Sequence, residues 1–340
     1  MTGEAFARLR DQADRLRQQY HIDPQEVYEL CLELATPLII AEAKADIPVP
    51  GLPNLDGILQ FAAFYWCVRE ATRAHPELVQ EYLWQVNEAL RNPNCWIDFP
   101  IPLREIPIRN TGTGTSNHLY DCSVGLPVDP VTGETVYPVS DDFLDSQGRR
   151  FCRVVDNIPL RRRSVAPEHS HKPVRLTAQL DPKRGAHKAL DNRIYYLITQ
   201  QYRFYFRGDP NWVDRLLRTM KDDGVGIGKK SSLGYGQIRE LSISPVSSVA
   251  TLGRPLTNAQ QAALGVPPGT VSIALLKSIP VDELFRWCNA GNEAENEAML
   301  GHRRPRILSF LPVLGGYTPP FWLKKNQTLV ARYGSLLYGE

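Results

Sequence analysis

A thirteen-residue stretch with five glycines constrains this chain more than any other feature of its sequence. It runs from Gly224 to Gly236 as Gly-Val-Gly-Ile-Gly-Lys-Lys-Ser-Ser-Leu-Gly-Tyr-Gly. Glycine permits positive φ and lets another backbone come close, while lysine and serine side chains supply hydrogen-bond donors. A phosphodiester backbone needs close approach, exposed N–H groups and positive charge. We therefore predict a phosphate-binding loop, and the alternative is a glycine-rich hairpin with two solvated lysines.

The flanking sequence places this loop between a helix and a strand. Residues 193–207 alternate between apolar and polar side chains, which predicts a strand. Asp209-Pro210 then supplies a helix N-cap and a first-turn proline. The apolar residues that follow at helical spacing are Trp212, Val213, Leu216, Leu217 and Met220. Residues 235–244 again have a strand pattern. A Walker loop is excluded because Asp223 stands where its first glycine should be, and a Rossmann loop opens a helix instead of entering a strand.

Four of these glycines carry a resemblance to a known family. A helix, then Gly-x-Gly-x-x-x-x-x-Gly-x-Gly, then a strand is similar to the signature of the RAMP superfamily of CRISPR-associated RNA-binding proteins. The four glycine positions of that signature are occupied by Gly226, Gly228, Gly234 and Gly236. Weaker motifs resemble the Cas-five-type subunit of type IV effector complexes. They are Thr36-Pro37, Leu55-Asp56-Gly57-Ile58-Leu59, Phe204 to Asp209, and Gly316 to Trp322.

The resemblance implies an α+β protein with a ferredoxin-like, RRM-like βαββαβ core and a large thumb-like insertion. Outside that pattern, the sequence predicts an N-terminal helical extension, residues 1–26, and an irregular C-terminal region, residues 246–340, packed on the core. The RAMP/ferredoxin-like domain would cover residues 27–245, with the basic insertion at 92–190. Alternating apolar and polar side chains over 28–34 predict a strand, with a helix as the alternative because Leu and Glu favour helices. Within this domain we also expect helices over 55–68 and 77–90 and short insertion strands over 134–139 and 151–155.

The N-terminal segment has an amphipathic pattern of its own. Apolar side chains recur at alternating steps of three and four, at Phe6, Leu9, Ala13, Leu16 and Tyr20. This spacing predicts a helix over residues 4–20. The helix either packs on its own domain or docks on a neighbouring subunit.

The C-terminal region has fewer clear signals. We expect exposed loops at 267–268 and 289–297 and a short helix over 281–288. Residues 315–322 do not fit regular structure. Either they form a tight turn that buries Trp322, or Tyr317 stacks on a base.

Positive charge is concentrated in one segment of a nearly neutral chain. Residues 149–188 contain 11 Lys/Arg and 3 Asp/Glu, whereas the whole chain has a net charge of +2. Such a segment is typical of a localised site for a polyanion, although it could also be a solvated loop paired with the acidic N-terminal part. The candidate RNA contacts in this segment are Arg149, Arg150, Arg161, Arg162, Arg163, His169, His171, Lys172 and Lys188. Those in the glycine loop are Gly226, Gly228, Lys229, Lys230, Ser231, Ser232, Gly234, Tyr235 and Gly236.

Together with the resemblance, these features predict a non-catalytic subunit of a type IV-like CRISPR effector ribonucleoprotein. It would cap the 5′ handle of the crRNA. The implied partners are crRNA, Cas-seven-type backbone subunits, a large or Cas-eight-like subunit, and target DNA near the PAM. One alternative is a RAMP endoribonuclease that processes pre-crRNA with a histidine of the insertion. The candidate histidines are His118, His169, His171 and His187. The remaining alternatives for the function are a filament backbone subunit and a purely protein–protein structural subunit.

Cofactors, disulfides and membrane spans are not expected. His169-x-His171 alone does not have the ligand spacing of a metal site. The six cysteines include no Cys-x-x-Cys pair, so we expect reduced thiols in a cytoplasmic protein. There is no signal-peptide pattern, and no apolar run approaches the roughly 20 residues that a membrane span requires.

Overall fold

The computed structural model describes residues 3–38, 52–78, 97–109, 118–129, 132–135, 152–155, 194–197, 200–228, 231, 234–247, 249–263, 265–266, 271–309, 312–319 and 326–339. Within these ranges the chain has six α-helices and antiparallel sheets, so the predicted α+β class is confirmed. The helices are α1 (Gly3–Gln18), α2 (Leu55–Ala74), α3 (Pro210–Asp222), α4 (Asn258–Ala263), α5 (Val281–Ala290) and α6 (Glu293–Leu300).

The described strands are short, and most of them lie in the second half of the chain. Those before the glycine loop are β1 (Tyr28–Leu34), β2 (Glu105–Pro107), β3 (His118–Tyr120), β4 (Leu126–Pro127), β5 (Cys152–Val155), β6 (Ile194–Leu197) and β7 (Gln201–Phe206). Those after it are β8 (Ile238–Pro245), β9 (Gly253–Pro255), β10 (Val271–Leu275), β11 (Ile279–Pro280), β12 (Pro305–Ser309), β13 (Pro312–Gly316), β14 (Gln327–Ala331) and β15 (Leu336–Gly339).

The main sheet contains four antiparallel strands in the order β4-β7-β1-β8. Leu30 of β1 lies opposite Phe204 of β7 on one side and Ile243 of β8 on the other. Successive side chains of a strand point to opposite faces, so Leu30, Leu32 and Leu34 share the face that forms the main core with α2 and α3. The other face carries mostly polar side chains.

Two helices begin at the residues that the sequence predicts. Asp209 caps α3: its Oδ1 accepts hydrogen bonds from the backbone N–H groups of Asn211 and Trp212, and Pro210 is the first helical residue. Helix α2 begins at Leu55 as expected but continues to Ala74, six residues beyond the predicted end. The helix predicted over 77–90 lies outside the described residues, apart from a 3-10 turn over Pro76–Leu78.

The predicted strand over 193–207 is divided into two strands that belong to different sheets. Strand β6 pairs with β5, while β7 joins the main sheet beside β1. The strand expected over 151–155 is therefore present as β5. Strand β4, at the edge of the main sheet, lies inside the segment that we predicted to be an insertion. Of the strand expected over 134–139, the described part is limited to residues 134–135, where Thr135 forms a bridge with Val128.

Helix α1 packs on its own chain. Leu9, Ala13 and Leu16 are buried in the main core, and the helix contacts α2. Just after the helix, the Tyr20 hydroxyl donates a hydrogen bond to the carbonyl oxygen of Pro100 at 3.0 Å. Of the two predicted alternatives for the amphipathic segment, packing on its own domain therefore describes this helix.

The prediction of an irregular C-terminal region is wrong. Residues 253–339 form one sheet in the order β12-β15-β10-β9 and another in the order β11-β14-β13, together with α4, α5 and α6. The expected loop over 289–297 contains the start of α6, whose N-cap Asn292 accepts a hydrogen bond from the backbone N–H of Ala294. Gly315 and Gly316, expected outside regular structure, end β13. This region has its own apolar core, which includes Leu275, Trp287 and Leu337.

One buried ion pair and one buried hydrogen bond connect the C-terminal region with the rest of the chain. Lys277 Nζ lies 2.6 Å from Asp56 Oδ2 at the start of α2. Arg207, which follows β7, pairs with Asp121 at 2.9 Å, and the Thr251 hydroxyl also binds Asp121. Cys31, Cys67, Cys122 and Cys288 are free thiols. Among the described helices, none is long and apolar enough to cross a membrane.

Candidate nucleic-acid interface

The two ends of the glycine loop approach each other in direct backbone contact. The N–H of Ile227 donates to the carbonyl oxygen of Gly236 at 2.9 Å. A Cβ on Gly226 would collide with the carbonyl oxygen of Tyr235, and one on Gly236 would collide with that of Ile227. Glycine is therefore required at both positions for close backbone approach.

The inner two glycines of the signature turn the chain on either side of the loop tip. Gly228 has φ 78° and Gly234 has φ 89°, a region that residues with a Cβ adopt only with strain. A Cβ on Gly234 would meet nothing within 4 Å, so at this position the backbone conformation alone favours glycine. The Gly234 N–H donates to the carbonyl oxygen of Ser231 at 2.9 Å across the tip.

The end of β1 holds the downstream side of the loop. The Gly236 N–H donates to the carbonyl oxygen of Pro37 at 3.0 Å. The Gln237 N–H donates to the Thr36 hydroxyl oxygen at 2.9 Å, and the Ala35 N–H donates to the carbonyl oxygen of Gln237 at 2.8 Å. The Thr36-Pro37 motif and the glycine motif, which are distant in sequence, thus form one structural unit.

Helix α2 holds the upstream side of the loop. Asp223 ends α3, and its Oδ2 accepts a hydrogen bond from the Tyr65 hydroxyl at 2.9 Å and pairs with Arg69 Nε at 3.0 Å. Burial and the bond to this carboxylate raise the pKa of Tyr65, so the phenol stays protonated as a donor. Contacts with β1 and α2 therefore fix both ends of the loop.

Two cations beside the loop were missed by the sequence analysis. Lys221, in the last turn of α3, lies 3.4 Å from Glu240 Oε1, and Arg239, at the start of β8, lies 3.1 Å from Glu33 Oε1. Surface ion pairs of this kind contribute about 0–1 kcal/mol, so a phosphate could replace either carboxylate at little cost. Their positions just before and just after the glycine stretch were the signal that could have identified them.

The structure describes only part of the predicted site. It brings together Gly226, Gly228, Ser231, Gly234, Tyr235 and Gly236, with Ser231 and Tyr235 half-buried. The predicted contacts that lie outside the described residues are Lys229, Lys230, Ser232, Arg149, Arg150, Arg161, Arg162, Arg163, His169, His171, Lys172 and Lys188. The position of the basic segment relative to the glycine loop therefore stays a prediction.

Two other predicted roles concern residues far from the loop in sequence. Tyr317 is 2% exposed inside the C-terminal core, where burial raises its pKa. Its ring has no free face for a base, so the stacking alternative is wrong. His118, a candidate for RNA cleavage, lies on β3 with its ring edge against Tyr120 and Nδ1 3.9 Å from Glu105 Oε2. His169, His171 and His187 lie outside the described residues.

The arrangement provides a glycine loop that is anchored at both ends and has a cation beside each end. The described part of the chain contains no group of three His, Cys, Asp or Glu side chains that could hold a metal ion. These features are typical of a site for an extended anion. No protein-family model matches the chain, and no curated protein matches it.

Proposed function

We propose that this chain is a non-catalytic RNA-binding subunit that holds the backbone of a guide RNA on its glycine loop. In the form that the sequence resemblance implies, it caps the 5′ handle of crRNA in a type IV-like CRISPR effector complex. The observation that carries the proposal is the geometry of the loop, with crossed ends, glycines where backbone approaches backbone, and anchors on both β1 and α2.

This geometry supports phosphate binding because it reduces the entropic cost of binding. A loop that is ordered before its ligand arrives loses less conformational freedom on association. Lys229 and Lys230 follow Gly228 directly, so two positive charges lie in the sequence between the anchored ends of the loop. A glycine hairpin with a purely structural role would need neither the lysines nor the nearby cations Lys221 and Arg239.

The arrangement of the main sheet supports a ferredoxin-like core of the kind found in RNA-recognition motifs. In that fold the first and third strands are central, and the second and fourth lie at the edges. Here β1 and β7 are central, while β4 and β8 lie at the edges. Helix α2 follows the first strand and α3 follows the third, in the same chain order.

Fluorescence anisotropy with a short fluorescein-labelled single-stranded RNA tests the proposal. We expect the wild-type chain to bind at low salt, with an affinity that falls as salt rises. The Lys229→Ala/Lys230→Ala variant should bind more weakly, and its log–log salt slope should fall by roughly 0.7 for each lost phosphate contact. Arg303→Ala/Arg304→Ala, which removes two exposed arginines paired with Glu297 and Glu293 in the C-terminal region, is the matched charge control and should bind as the wild type does.

Two outcomes would overturn the proposal. The first is a wild-type chain that binds no RNA and carries none when purified with its partner subunits and a CRISPR array. The second is a shortened RNA product on a denaturing gel after incubation with the wild-type chain, which would favour the endoribonuclease alternative. A lysine-pair variant with an unchanged salt slope would remove the loop tip from the site.

A further inference from the structure

The polar face of the main sheet carries a groove at the end nearest the glycine loop. The groove has a volume of about 330 Å³, at the lower end of the range of about 300–1,000 Å³ that is typical of small-molecule sites. Six polar side chains line it: Gln201, Glu33, Glu240, Arg203, Cys31 and Ser242. All six belong to β7, β1 and β8, so the polar lining of the groove is built on the strands of the main sheet.

Strand pairing arranges these side chains in two rows across the sheet. In the row nearer the glycine loop, Glu33 lies opposite Gln201 of β7 on one side and Glu240 of β8 on the other. In the second row, Cys31 lies opposite Arg203 and Ser242. The first row therefore carries two adjacent carboxylates with the Gln201 amide beside Glu33, and the second row carries the donors of Arg203, Cys31 and Ser242.

The groove lies within reach of an RNA held on the loop. Thr36, which binds the loop through Gln237, follows Glu33 by three residues. At about 3.3 Å per residue of extended chain, the two positions are roughly 10 Å apart along the chain. A base attached to a backbone on the loop can therefore turn towards the sheet face and enter the groove.

The carboxylates of Glu33 and Glu240 face each other across adjacent strands, which is an unfavourable arrangement for the stability of the fold. Like charges directly opposite destabilise a sheet, and an opposite charge at either position would be better for stability. Each carboxylate has one cation beside it, Arg239 at Glu33 and Lys221 at Glu240. An ionised carboxylate accepts about four hydrogen bonds, so acceptor capacity remains for a ligand with N–H donors.

We propose that this groove receives a guanine base of the RNA, an inference that rests on the proposed RNA-binding function. Guanine presents two adjacent N–H donors, N1–H and the N2 amino group, which match the two oxygens of one carboxylate. The other RNA bases offer a carboxylate no such pair on one edge. Gln201 and Arg203 supply donors for the O6 and N7 acceptors. Arg203 also contacts the Thr135 hydroxyl and the Gly133 carbonyl oxygen, which leaves further N–H groups of its five.

Four labelled RNAs of equal length test this assignment by fluorescence anisotropy: alternating G-U, inosine-U, A-U and C-U. Inosine lacks the N2 amino group of guanine. We expect the wild-type chain to bind the G-U RNA about tenfold more tightly than the inosine-U RNA, within the range for one bidentate contact to a base. Glu33→Gln replaces one acceptor oxygen with a donor and should abolish this preference, while the loop still binds phosphate.

Glu29→Gln is the matched control. Glu29 lies on the same face of the same strand, four positions before Glu33, farther from the loop and outside the groove lining. This variant loses the same charge and should keep the guanine preference. Melting curves of both variants show whether either has lost its fold. Equal wild-type binding of all four RNAs, or a preference that survives Glu33→Gln, would overturn the guanine pocket alone. A wild-type chain that binds none of the four would overturn the proposed function as well.

Discussion

Different physical effects favour glycine at different positions of the glycine loop. Gly236 combines positive φ with a backbone oxygen where its Cβ would lie, whereas Gly234 has positive φ and open space. The sequence pattern treats both positions alike. Because Gly236 contacts Ile227, it cannot hold a Cβ, whereas a Cβ at Gly234 would only strain the backbone.

Alanine substitutions separate these two effects. Gly234→Ala should lower the free energy of unfolding by about 1–2 kcal/mol, the cost of a left-handed conformation. Gly265→Ala, with φ 65° and open space at a site outside the loop, is the control and should lose a similar amount. Gly236→Ala has nearly the same φ, 66°, but must also displace Ile227, so it should lose more. Urea unfolding measures all three, and equal losses for Gly236→Ala and Gly265→Ala would show that close approach is not limiting.

For single elements, the sequence predicted helices and strands correctly where residues within or beside the element determine its type and its start. Asp209-Pro210 and the apolar spacing after it predicted α3, and the alternation in 28–34 predicted β1. Helix α6 was missed because it has no apolar stripe. Its buried residues are Asn296, Met299 and Leu300, and the Asn296 side chain donates to the carbonyl oxygen of Trp287.

The candidate site could be predicted only in part for a similar reason. The glycine spacing is local and visible in the sequence. The anchors at Thr36 and Asp223 depend on contacts between distant segments. The groove depends on the register between Glu33 and Glu240, and no local pattern encodes the pairing of two strands across such a separation.

Asp209 connects two elements, which leads to a prediction about α1 and α3. Its Oδ1 caps α3, and its Oδ2 accepts a hydrogen bond from the His21 N–H at 2.8 Å, just after α1. Asp209→Ala removes both functions and should cost more than the roughly 1 kcal/mol of a cap alone. Asp209→Asn keeps one carbonyl oxygen for the cap and should lose mainly the contact to His21.

The matched control is Asn292→Ala, which removes the N-cap of α6 and has no second contact in its described hydrogen bonds. Urea unfolding gives the stability of each variant, and limited proteolysis of the N-terminal segment reports the attachment of α1. If Asp209→Asn and the wild type are cleaved at the same rate, the His21 contact does not hold α1.

At the scale of the whole molecule, the two four-stranded sheets share one arrangement. In the main sheet, β1 lies between β7 and β8, and in the C-terminal sheet, β10 lies between β15 and β9. Each has a helical segment after this inner strand, followed by an edge strand and then by the strand that returns beside it. Both sheets therefore contain the order strand, helix, strand, strand, but the fourth strand, β8, ends the main sheet in chain order, whereas β9 begins the C-terminal sheet. The short strands of the C-terminal sheet hid its order from the sequence analysis.

The buried pair of Lys277 and Asp56 joins these two halves and gives the last prediction. Burial lowers the pKa of Lys277, but the Asp56 carboxylate beside it outweighs this effect and raises the pKa to about 12. Lys277→Met leaves the carboxylate buried without its cation and should cost about 3–5 kcal/mol. Lys277→Met with Asp56→Asn removes both charges, keeps an oxygen for the Gly57 N–H, and should recover much of the loss.

Arg303→Met is the control for an exposed pair. Arg303 binds Glu297 at 3.0 Å at the surface, and its loss should change stability by at most about 1 kcal/mol. Urea unfolding monitored by circular dichroism measures all of these variants. If the double variant is as unstable as Lys277→Met, the cost does not come from an unpaired buried charge. The pair would then hold the halves together by its specific hydrogen bond, because neutral side chains of similar size could not replace it.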